Sequence, residues 1–222
     1  MEQLVGLQAH WFFGCDVVLE LVFAVVALVL AVFAFRVFKI TSERSTGFLG
    51  AGFLFISISY FFQSALNFLL VYKVGAMPFL TLNDFSYAIT LQLIGTLGQM
   101  FFMLIGLVIL LYMTFEVNRK SILAIMLLFV IIPLLFTNIS FFVFYFISTI
   151  CLIFVAGHFV KNYLRKKKRL NLVIAVAFVL LAVSGTQFVL SSQGGVLYVF
   201  GHLLELVAYL LLLVNFYLVL KK

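Results

Sequence analysis

Seven apolar stretches alternate with short polar segments along this chain, at about 13–38, 47–71, 87–113, 121–136, 139–160, 171–190 and 196–220. Most reach the roughly 20 residues that a helix needs to cross a bilayer. The fourth is the shortest. It holds Pro133 and is followed by the turn-like Thr137-Asn138, which predicts a tight hairpin with the fifth. Backbone polar groups in hydrocarbon must be satisfied within their own segment, so single runs of this length predict helices. The pattern therefore predicts an all-α polytopic membrane protein, one domain over 1–222 with seven transmembrane helices.

The polar segments between the runs are strongly asymmetric. Arg36, Lys39 and Arg44 follow the first run, Arg119 and Lys120 the third, and Lys161 with Arg165 to Arg169 the fifth, while Lys221 and Lys222 end the chain. The alternate segments carry Lys73 alone. Cytoplasmic loops of membrane proteins concentrate lysine and arginine, so the reading is an extracytoplasmic N-terminus and a cytoplasmic C-terminus in the cell membrane. The Lys161–Arg169 segment then reads as an anchor for anionic lipid headgroups.

An internal repeat is also legible. A shift of 125 residues lays Arg36 on Lys161, Phe38 on Tyr163, Arg44 on Arg169, Phe53 on Phe178 and Ser59 on Ser184. A shift of 106 lays Gly95 on Gly201, Leu97 on Leu203 and Gln99 on Glu205. This predicts a 3+1+3 parallel arrangement, with halves 13–113 and 139–220 and a linker helix at 121–136. Parallel repeats place a binding site at their shared axis.

With orientation assigned, polar residues inside the runs gain a depth. Glu20, Gln63, Asn67, Gln92, Gln99, Gln187, His202 and Glu205 all fall in the outer half, and these eight are the candidate ligand-binding residues. Buried without partners, each would cost several kcal/mol. An outward-facing, partly hydrated pocket would relieve that cost. Interhelical hydrogen bonding is the competing explanation, at about 0.6–2 kcal/mol per contact, although carboxylates serve poorly in that role. His202 and Glu205, one turn apart, form with Glu20 a candidate metal set, since imidazole and carboxylate suit zinc or iron. No cofactor is otherwise expected. His158 and His202 fall near opposite faces, so they cannot share a haem.

Composition narrows the classes further. The chain is 66% hydrophobic and 9% charged, against about 25% charged in soluble domains. Its +7 net charge sits in short loops and does not indicate nucleic acid. Cys15 and Cys151 are too few for a disulfide framework. His10-Trp11 reads as an interfacial anchor, and no cleaved signal peptide is expected. Nucleophile elbows, H-E-x-x-H, Gly-rich phosphate loops and CxxC are all missing, so a metal-dependent intramembrane hydrolase is the only enzyme reading and a distant one.

The architecture resembles the broad group of seven-helix proteins with a three-one-three arrangement, including sugar-transporting SWEETs and microbial rhodopsins. It is also similar to the seven-helix sensory domains of prokaryotic histidine kinases. Microbial rhodopsins hold retinal on a lysine in the middle of the seventh helix. Val196 to Leu220 contains no lysine, which excludes a retinal Schiff base. SWEETs carry a proline in the first helix of each triple, whereas the prolines here are Pro78 and Pro133. Two functions stand: a binding or sensory module that signals or assembles through another membrane or cytoplasmic chain, and a small-solute or proton- or cation-coupled transporter. The inner half of the seventh run offers only Tyr209, Asn215 and Tyr217 as polar steps, which favours binding over passage.

Overall fold

The computed structural model describes residues 13–75, 82–115, 120–136, 140–191 and 195–220. His10-Trp11, Pro78, Arg119, Thr137-Asn138, Lys221 and Lys222 lie outside these. The described residues form seven helices: α1 (Phe13–Thr41), α2 (Arg44–Gly75), α3 (Leu82–Thr114), α4 (Lys120–Phe136), α5 (Ser140–Lys166), α6 (Arg169–Leu190) and α7 (Gly195–Leu220). The helices overrun the apolar stretches, α5 by a turn and a half to Lys166, because helical hydrogen bonding continues into the polar flanks. Six are long and apolar enough to cross a membrane, so the fold fits a multi-pass helical membrane protein. The exception is α4. Its 17 residues measure about 25 Å, against a hydrocarbon core of about 30 Å.

Helices pack in sequence order, α1 on α2 on α3 and α5 on α6 on α7. Two further contacts, α1 with α7 and α3 with α5, close six helices into a ring, and α4 leans on the outside of α3 and α5. Chain neighbours run antiparallel. On α1 and α2, Ser57 bonds the Ala24 carbonyl while Ser64 bonds that of Val17. On α5 and α6, Tyr145 stacks on Phe188 while Phe159 stacks on Phe178. Across the ring, Phe53 of α2 meets Phe178 of α6, with centroids 6.4 Å apart. Seven residues further along α2, Tyr60 lines a cavity with Ser184 and Gly185 of α6. The order of these levels is the same on both helices, so α2 and α6 run in the same sense.

The turns at α1–α2 and α5–α6 share one construction. Ser42 and Lys167 take left-handed φ values of 55° and 47°, an uncommon conformation for residues other than glycine. Each donates its N–H to the carbonyl four residues back, Phe38 at 2.8 Å and Tyr163 at 2.7 Å, closing the preceding helix. The next helix then opens with two amides on one carbonyl: Thr46 and Gly47 on Glu43, Asn171 and Leu172 on Lys168. Every one of these positions is separated from its counterpart by 125 residues.

Lipid-facing and inward faces are both apolar, and what separates them is side-chain size and polarity. On α1, Ala24, Ala27, Ala31 and Ala34 are buried, whereas Val18, Leu21, Val25, Leu28 and Val32 face outward. Small residues let backbones approach where lipid removes the hydrophobic drive for association.

Candidate functional site at the centre of the ring

One face of α7 supplies the site. Tyr198, His202, Glu205, Tyr209, Leu212 and Phe216 recur at spacings of three and four and are buried. Phe200, Leu203, Val207, Leu210 and Val214 occupy the opposite, exposed face. Helical periodicity thus brings His202, Glu205 and Tyr209 onto one inward stripe. They meet Tyr60 of α2, Gln99 of α3, Ser148 of α5 and Ser184 of α6 around an internal cavity of about 60 Å³.

Glu205 is the acid of this cavity and is only 5% exposed. The Tyr60 hydroxyl donates to its Oε1. Its Oε2 lies 3.6 Å from His202 Nδ1, an ion pair if the imidazole is protonated but too long for a hydrogen bond. Aromatic contacts hold Tyr60 and His202 in place. Phe23 of α1 packs against Tyr60, His202 and Tyr209 with centroids 5.4, 6.0 and 5.5 Å away.

The polar level lies between two aromatic layers. Toward the Gly195 end of α7, Phe188, Tyr198 and His202 make edge contacts at 4.6–5.7 Å. Toward the other end, Phe178 stacks on Phe159 at 4.6 Å and touches Phe53. Leu107, Leu110, Leu152 and Leu181 complete the lower lining. Ser148 is buried, and its Oγ finds no hydrogen-bond partner among the described residues.

Of the eight candidate residues, Gln99, His202 and Glu205 line this cavity. Glu20 does not. Its carboxylate is buried between α1 and α2, where the Asn67 amide donates to both oxygens at 2.9 and 3.3 Å. Gln63 in turn donates to Asn67 at 3.5 Å, a bond at the limit of reach. Gln92 is exposed and Gln187 is half-buried, and neither lines the cavity. The candidate polar residues are therefore divided between a central group and a peripheral one. Among the described residues no three His, Cys, Asp or Glu side chains come close enough to hold a metal ion, and Glu20 does not join His202 and Glu205 in a ligand set.

Tyr60 and Ser148 were not among the candidates. Tyr60 carries a readable signal: Ser57, Tyr60, Ser64 and Asn67 form a hydroxyl-and-amide stripe at spacings of three and four along α2. Ser148 carries none, since a lone serine in an apolar helix is usually bonded to its own backbone.

No family model matches this chain, and neither a curated protein nor a solved structure matches it.

Proposed function

We propose that the protein is an integral membrane binding module of the sensory type, which takes a small polar ligand into the central cavity and passes the resulting helix shift to another chain. The observation that carries this reading is the convergence on one cavity of a buried carboxylate, its tyrosine donor and an unpartnered serine. Polar groups left in a void of this kind are ligand-binding features by default in a membrane fold. The segments joining the helices are too short to fold as domains, and the proposed reader of the output is a partner.

The repeat belongs to the same proposal. The matching turns at Ser42 and Lys167, the shared sense of α2 and α6, and the equivalent closing contacts α1–α7 and α3–α5 all support two triple-helix units about one axis. Gln99 and Glu205, equivalent under that repeat, then face each other across the cavity. With α3 and α5 also running in the same sense, α4 carries the chain back across the bilayer as a seventh span. The cationic turns, exposed at Arg36, Lys39, Lys161 and Arg165 to Arg169, then share the cytoplasmic face with the C-terminus. A tag before residue 1 is expected to be reached from outside intact cells, and a tag after Lys222 only after permeabilisation. An N-terminal tag hidden in intact cells would reverse the orientation.

A parallel repeat is also the frame of alternating-access carriers, and this favours transport as the second reading. Against it stands the lower aromatic and leucine layer, since beneath Glu205 the inward stripe of α7 offers Tyr209 as its one polar side chain before Leu212 and Phe216. In liposomes holding a pH-sensitive dye, a binding module leaves an imposed proton gradient to decay no faster than in empty vesicles. Native mass spectrometry is expected to show a small adduct that Ser148→Leu, which fills the cavity, excludes. Accelerated decay that Ser148→Leu abolishes would establish the carrier instead.

A further inference from the structure

We infer that the central cavity binds a monovalent cation, an alkali-metal ion or ammonium, against the Glu205 carboxylate. This rests on the reading of the cavity as a ligand site and names the class of ligand.

Size comes first. A cavity of about 60 Å³ admits a few waters at roughly 10–15 Å³ each. An ion with part of its hydration shell fits, whereas organic ligands occupy pockets of about 300–1,000 Å³.

Charge narrows the class. Among the described residues, the cavity lining contains Glu205 and no other acid, lysine or arginine. A single carboxylate balances one positive charge, and the absence of any cluster of three His, Cys, Asp or Glu among the described residues removes the donor set a transition metal takes.

The remaining donors are neutral oxygens. Tyr60 occupies Oε1 of Glu205, while Oε2 has no hydrogen bond to His202 at 3.6 Å. Ser148, 7% exposed, brings an Oγ without a hydrogen-bond partner among the described residues into the same space. Gln99 and Ser184 add further oxygens to the lining. Oxygen ligands around one carboxylate suit a hard cation, and the rings of Tyr60 and Tyr209 supply negative faces beside it.

The titratable groups at this carboxylate are Tyr60, Tyr209 and His202. The test is run at one fixed pH of about 8, so that the salts differ only in their cation. Cys151 is free and buried, so in a Cys15→Ser background its reaction with a thiol-sensitive fluorophore reports unfolding. Unfolding temperatures are compared in the chlorides of sodium, potassium, ammonium and N-methylglucamine at equal ionic strength. At least one small cation is expected to raise the temperature saturably by several degrees over N-methylglucamine. Glu205→Gln is expected to abolish that response, and Ser148→Ala to weaken the apparent affinity about three- to tenfold. Glu43→Gln, on the exposed α1–α2 turn, is expected to keep it. Should Glu205→Gln not fold, the Ser148→Ala arm decides.

Equal temperatures in all four salts would mean that Glu205 carries only a proton, and would overturn the cation. So would a response that survives both Glu205→Gln and Ser148→Ala. A mass-spectrometric adduct that Ser148→Leu excludes but that persists in N-methylglucamine would reject the cation and leave the ligand-site reading standing. With neither adduct nor salt response, both fall.

Discussion

Gly106→Val is expected to cost the fold about 2–3 kcal/mol, measured as early exposure of Cys151 in thermal unfolding of the detergent-solubilised protein. A Cβ at Gly106 would lie 2.8 Å from the Gly52 carbonyl oxygen and 3.1 Å from the Ile56 nitrogen, both backbone atoms that cannot rotate away. Gly52 faces the same contact from the other side, where its Cβ would meet Leu110 Cδ2 at 2.6 Å and the Gly106 oxygen at 3.1 Å. The two glycines let α2 and α3 touch along their backbones. Close packing is the main source of helix association in lipid, because the tails are as apolar as the side chains. The damage is expected to spread along the seam to the hydrogen bond from Ser59 to the Gln99 carbonyl, 2.8 Å long. Gly157→Ala is the matched control. Its Cβ meets nothing within 4 Å, so stability should hold or rise slightly with helix propensity. Equal unfolding profiles for the two variants would mean that α2 and α3 do not meet closely at Gly52 and Gly106.

Tyr60→Phe is expected to cost about 2–3 kcal/mol through the carboxylate it leaves behind. Phenylalanine keeps the ring contacts with Phe23 and Tyr209, so the change isolates the hydroxyl. That hydroxyl is the donor to Glu205 Oε1, and a buried charge that loses its donor pays the desolvation it had offset. In a Glu205→Gln background the same change should cost less by about 1 kcal/mol or more, because a neutral amide is cheaper to leave unsatisfied. Thermal or chemical unfolding of the four proteins gives this coupling directly. Additive losses would mean that the Tyr60 hydroxyl contributes independently of Glu205.

The helices were legible for a simple reason. In a bilayer, long apolar runs have one backbone solution, so the expected stretch 171–190 appears as Arg169–Leu190 and 196–220 as Gly195–Leu220. The α4 stretch was legible as a helix, but its span was not, because 17 residues sit at the edge of what crosses. The sequence assigns the polar residues a common depth, but their partners were not legible. Glu20 and Glu205 belong to the same depth range by sequence and to different clusters in the fold. A helix face says which way a side chain points, and the neighbour it meets depends on how the ring closes.

Composition and the period of the helix by themselves determined the class of protein, the helices and the inward stripe at His202 and Glu205, since these depend on local hydrogen bonding and on lipid as the solvent. Only the tertiary structure decided that α1 meets α7 and α3 meets α5, and hence that Tyr60 reaches Glu205 while Asn67 takes Glu20. Ser148 entered the site by the same closure. Those contacts join residues up to 145 positions apart. They follow from the fit of small and aromatic side chains between helices, and a pattern in which both faces are apolar does not encode that fit locally.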